Sequence, residues 1–202
     1  MRVGFEVDDT DEGGCEEEAK KHAGTDAFVR PAGRSPVSGD RVLGKLMTDL
    51  EQTIASGLTA RYKKLAGIVH ELAALLSDEQ LWAKPFAFGN SFGHLLLHLT
   101  GNLNYYVGAQ IAGTGYVRDR PQEFSDAARP SKREVLKNFD DAIEMVLAAI
   151  SRQSAEDWSK EYTAVATDAR DRFDMVLQCA THLHHHIGQM MYLVFELKRT
   201  AK

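Results

Sequence analysis

A chain of 202 residues has room for one domain with a sizeable core, and a formal net charge of −5 with no basic stripe leaves no footprint for nucleic acid. Two cysteines, Cys15 and Cys179, cannot form a disulfide framework, and no apolar run approaches the roughly 20 residues of a membrane span. The acidic start is unlike a secretory signal, so a cytoplasmic protein with neither a membrane nor a nucleic acid as partner is expected.

Residues 1–39 stand apart. Asp8-Asp-Thr-Asp-Glu-Gly-Gly-Cys15-Glu-Glu-Glu18 is charged and Gly-rich, and Pro31, Gly33, Pro36 and Gly39 punctuate the stretch after it. So little apolar area cannot offset the entropy of ordering, which predicts a flexible leader in which Cys15 and His22 are inert. An over-extended reading frame is the other explanation for it.

From Asp40 helical periodicity takes over. Val42, Leu46, Leu50, Ile54 and Leu58 recur every four residues, and Leu65, Ile68, Val69, Leu72, Leu75 and Leu76 continue the stripe. One long helix is predicted, with an interruption near Gly57. Pro85 and Gly89 mark a loop, after which Asn90 or Ser91 caps a second helix running to about Ala112. Gly113-Thr-Gly115 ends it, and a polar loop with Pro121 and Pro130 comes next. Ser131, with Glu134 three residues on, reads as a capping box for a helix burying Val135, Phe139, Ile143, Val146, Leu147 and Ile150. A short connection holding Trp158 and Tyr162 leads to a final helix from about Ala169 to Lys198. No strand alternation appears. The predicted fold is all-α, an antiparallel four-helix bundle over residues 40–202, in which metal sites form from side chains facing the core.

The chemistry concentrates in histidines. On the last helix His182 and His186 are four apart, so their rings lie one above the other and can grip one ion. They fall about 120° and 80° from the centre of the stripe Val176, Ala180, Leu183, Ile187, Met190 and Val194. Cys179 lies nearer that centre. His185 points toward water, and His184 lies on the other flank, facing a different helix. On the second helix His98 is about 40° nearer the apolar stripe than His94, which reads as a surface or supporting residue. Asn102 follows His98 by one turn and can hold a water or substrate. His70 reads as a solvent-edge histidine, and Tyr105 and Tyr106 as core or pocket-wall aromatics.

Asn90-Ser-Phe-Gly-His94-Leu-Leu-Leu-His98-Leu-Thr-Gly-Asn102, then Arg118-Asp-Arg-Pro121, then His182-x3-His186-Ile-Gly188-Gln189, resembles the DinB/YfiT-like superfamily. The resemblance covers residues 41–199. It implies a four-helix bundle that forms homodimers, with a divalent metal held by His98, His182 and His186. It also implies a metal-dependent hydrolase, or a thiol transferase using a low-molecular-weight thiol. The extra His184 and His185 depart from the simplest pattern of the family.

Imidazoles suit zinc first, with nickel, iron or cobalt as other divalent ions, and three of them leave a coordination position open. Such a site serves hydrolysis of a small molecule or activation of a thiol. Catalytic acid and base are left unassigned: Asp49, Asp140, Asp141 and Glu144 all lie on helices, and spacing aims none of them at the metal. The rival class is a metal- or ligand-binding bundle without turnover, serving a stress response. Leu97, Ile111 and Met191 lie off or at the edges of their stripes, which marks them for an interface between two copies.

Overall fold

Helix-forming segments with sharp caps carry the architecture. The computed structural model describes residues 39–127, 129–164 and 167–200, with side chains from residue 49 onward. The expected leader lies outside them. Helix α1, Gly39–Ala74, runs unbroken for 36 residues, so the expected interruption at Gly57 does not occur. A glycine in a helix interior costs about 1 kcal/mol relative to alanine, which the flanking packing of Leu58 and Tyr62 outweighs. Leu50 is 55% exposed, so the apolar stripe starts before the packing does.

Ser77 forms a reciprocal capping box with Gln80 and starts α2, Asp78–Trp82. Ser91 then accepts from the His94 N–H and starts α3, Phe92–Leu103. The expected α-helix to Ala112 is not continuous. At Asn104 it widens into a π-helical segment, Asn104–Ala109, in which Gln110 N–H donates to Tyr105 C=O at 3.2 Å. Gly113 and Gly115, at φ 67° and 72°, then turn the chain away. Asp119 caps the short α4, Arg120–Glu123, which has Pro121 in its first turn.

Ser131 caps α5, Lys132–Ser151, by accepting from Glu134 N–H, and Ser154 forms a capping box with Asp157 ahead of α6, Ala155–Trp158. The connection to the last helix is pinched by an isolated antiparallel bridge between Glu161 and Asp171. Residues 169–171 are taken up by that pinch, so α7 spans Arg172–Thr200 and starts later than expected.

The long helices form an all-α antiparallel four-helix bundle. Helices α1 and α3 each pack against both α5 and α7, so α3 and α7 are neighbours. Phe92, Leu96, Leu99 and Leu103 meet Val135, Phe139, Val146, Leu183, Met190 and Val194 in the core. Tyr62, fully buried on α1, donates its hydroxyl to Val176 C=O at 2.7 Å and fixes the height of α7. No helix among the described residues is long and apolar enough to cross a membrane.

Candidate metal centre

The neighbouring helices α3 and α7 bring His98 against His182 and His186. His98 Nε2 stands 3.0 Å from His182 Nε2, and one ring nitrogen of each of the three lies within 4.8 Å of the others. Two nitrogens on one tetrahedral zinc, each at about 2.0–2.1 Å from it, stand roughly 3.3 Å apart. The ring centroids are 4.4 Å apart for His182 and His186 and 5.1 Å for His98 and His186.

Outer hydrogen bonds turn these rings. His98 Nδ1 is 2.8 Å from Glu123 Oε2, a carboxylate that only accepts, so the proton is on Nδ1 and the Nε2 lone pair faces the cluster. Gln189 Oε1 accepts from His186 Nδ1 at 2.7 Å with the same effect. His186 Nε2 is then a buried lone pair without a hydrogen-bond partner among the described residues. Such an orphan is costly unless something electropositive meets it. Burial, then the neighbouring His186 and His98, pushes the His182 imidazole down to about 3, and burial also holds His186 below its ordinary value. Neutral imidazoles, with the His98 and His186 lone pairs turned toward the cluster, fit a divalent ion, which these three histidines can hold.

Glu123 is the residue that sequence reasoning missed. It is only 6% exposed, and Arg118 grips it at two points, Nε to Oε1 at 2.6 Å and Nη2 to Oε2 at 2.9 Å. Burial alone raises its carboxyl pKa, but the bonds from His98 and Arg118 outweigh that and hold it below the usual carboxylate range. The carboxylate lies so close to α3 that a Cβ at Gly101 would overlap Oε1. Asp119 and Pro121, by starting α4, were the only local signal for it. Asp140 and Asp141 are spent elsewhere, on His70 at 2.6 Å and Lys137 at 2.5 Å.

The other histidines separate cleanly. His185 is exposed, lies 3.3 Å from the Gln189 carboxamide and meets the His186 ring edge-on at 5.1 Å between centroids, outside the three-nitrogen cluster. His184, also exposed, meets Arg61 of α1 at 3.4 Å. His94 corrects the reading of it as a surface residue, because it is fully buried; it stands outside the cluster. Ser91 Oγ lies 2.8 Å from its Nδ1, Asp126 Oδ1 lies 3.3 Å from its Nε2, and Trp82 meets its ring edge-on. Trp82 also covers Gly93, where a Cβ would come 2.7 Å from the indole, so α3 is buried on its back as well as its front.

A cavity of about 240 Å³ reaches the cluster at His182, lined among the described residues by Asn102, Tyr106, Thr167, Asp168, Met175, Gln178 and Cys179. A larger cleft of about 470 Å³ touches Glu123 but none of the three histidines. The smaller cavity is therefore the one placed for chemistry at the cluster.

Comparison with known proteins agrees with this architecture. The family model of the DinB superfamily matches residues 61–190. A conserved protein of Enterococcus faecalis superimposes with a TM-score of 0.58 at 13% identity, covering 70% of this chain and 95% of that one. A DinB-like protein of Bacillus cereus ATCC 10987 gives 0.57 at 14% identity, covering 71% and 92%. These likenesses show the fold. No curated protein matches the chain.

Proposed function

Since the chain belongs to the DinB superfamily, we propose that it is a metal-dependent hydrolase of a small molecule, with His98, His182 and His186 holding one divalent ion, zinc before nickel, iron or cobalt. The observation that carries this reading is the buried, unpartnered His186 Nε2 facing the His98–His182 pair. When bound, such an ion supplies Lewis-acid chemistry, lowering the pKa of a coordinated water toward 7 or holding a thiol as thiolate.

The chain's own residues do the rest. Glu123 and Gln189 orient two of the three rings, and Arg118 keeps Glu123 ionised. Leu99, Leu183 and Met190, all buried, keep bulk water from the bundle side. Asp168 stands exposed in the wall of the cavity, where Gln178 Nε2 donates to its carboxylate at 2.9 Å. A homodimer in a reducing cytoplasm completes the proposal.

The test is the metal content of three proteins, stripped with chelator, reloaded with zinc and desalted. Wild type and His185→Ala should retain one equivalent per chain, and His186→Ala should retain none. Retention by His186→Ala, or equal loss from both variants, contradicts the reading. Loaded wild type is then screened against small esters, amides and phosphoesters.

A further inference from the structure

Among the described residues, one carboxylate is bonded to the three rings. His98 Nδ1 donates to Glu123 Oε2 at 2.8 Å, whereas His186 donates to the neutral Gln189 carboxamide. A carboxylate in that place ordinarily makes the ligand ring more basic and lends it negative charge. Here the charge is cancelled at its source. Arg118 donates from Nε to Oε1 at 2.6 Å and from Nη2 to Oε2 at 2.9 Å, and the same Nη2 stands 3.3 Å from His98 Nδ1. Two donors therefore share Oε2, in a pair whose side chains are only 11% and 7% exposed. The guanidinium stays charged at any working pH, so the pair is neutral as a unit. Asp119 caps α4 between its two members, which makes the clip local to one turn of loop and helix. Tyr106 backs it: Arg118 Cζ stands 5.8 Å from the centre of the Tyr106 ring, and Tyr106 lines the small cavity. Asp168 is the one acidic side chain among the described residues of that cavity, and it is exposed and screened by solvent.

We propose that Arg118 is a positioning residue of the three-histidine site: by holding both oxygens of Glu123, it lets the carboxylate orient His98 without passing its charge to the ring. The ligand class that follows is a small anion. This rests on the metal reading above and deepens it. Three neutral imidazoles and a cancelled carboxylate contribute no negative charge, so a divalent ion among them keeps its whole charge for its remaining ligand. With Glu123 unopposed, the same surroundings would carry one negative charge and offset half of that attraction. Both members of the pair are buried, where a unit charge acts over several ångströms with little screening.

The experiment uses the full chain, stripped of metal and loaded with excess cobalt(II). Thiocyanate is titrated at neutral pH, and its binding is read from the visible spectrum after subtraction of the free-ion signal. Arg118→Met removes the charge and should bind thiocyanate about 10-fold more weakly than wild type. Arg118→Lys keeps the charge without the two-point grip and should stay within about 3-fold of wild type. Glu123→Gln leaves Arg118 unopposed and should bind thiocyanate about 10-fold more tightly, even though it holds the metal less well. Arg118→Met combined with Glu123→Gln should return to the wild-type affinity. A purely structural role would move all these variants in one direction. Equal affinity in wild type and Arg118→Met, equal losses in Arg118→Met and Arg118→Lys, or a loss in Glu123→Gln overturns the role of Arg118 while leaving the metal reading intact. Should Arg118→Met take up no cobalt, Glu123→Gln decides alone: a rise supports the role, and a fall or no change overturns it. Failure of wild type to take up cobalt overturns both.

Discussion

Glu123 reaches His98 across 25 positions of chain, from a four-residue helix set in a polar loop, and no periodicity in the sequence announces the contact. The histidine pair was legible because a spacing of four is itself a geometric statement on a helix, whereas a loop carboxylate is placed only by the turns on either side of it. The room for that carboxylate comes from Gly101. Alanine in mid-helix is ordinarily better than glycine by about 1 kcal/mol, yet Gly101→Ala should weaken zinc binding by displacing Glu123. Glu123→Gln should do the same, each by about 10- to 100-fold in competition with a chromogenic chelator. Wild-type affinity in both would show that the carboxylate does not orient His98. Cys179 is the opposite case, since its place near the stripe centre already foretold burial. Burial pushes its thiol up to about 12 from 9.0, so the stability linked to it is complete below about pH 9 and declines as the pH rises toward 12. Native protein treated with iodoacetamide at pH 8 should leave Cys179 unmodified by mass spectrometry, with modification appearing in urea; rapid native labelling would contradict this.

At the scale of elements, what could be read was what repeats. Apolar spacing located the four long helices, and Ser91 and Ser131 marked two of their starts. The π-helical widening after Leu103 and the bridge that delays α7 leave no trace in such a pattern, because each is imposed by neighbours rather than by local preference. His94 was misplaced for a related reason. Counting angles from one stripe assumes one buried face, while α3 is covered by Trp82 and the loop around Asp126 on its other side. The two serine caps provide a test. Ser131→Ala removes an exposed cap and should cost about 1 kcal/mol in urea denaturation. Ser91→Ala also strips His94 Nδ1 of a buried partner and should cost about 2 kcal/mol or more. Equal costs would mean that the Ser91–His94 bond contributes nothing to the packing of α3.

The described residues present apolar surface that the core of the bundle does not use. Leu97 and Ile111, expected at an interface, are half-buried against the core, Met191 is 40% exposed, and Tyr192, Phe195 and Phe88 are 73%, 62% and 80% exposed. Phe88 and Tyr192 line one cleft, so the apolar surface is contiguous across the start of α3 and the end of α7. Light scattering at micromolar concentration should give the mass of a dimer for wild type and of a monomer for Tyr192→Glu with Phe195→Glu. A monomeric wild type contradicts the proposed homodimer. Inside the bundle, one histidine from α3 and two from α7 form the proposed site for one ion. X-ray absorption at the zinc edge of the reloaded protein reads that ligand set directly. Three imidazole nitrogens at about 2.0–2.1 Å plus a light oxygen ligand are predicted. A sulfur scatterer near about 2.3 Å, or fewer than three imidazoles, would contradict the account.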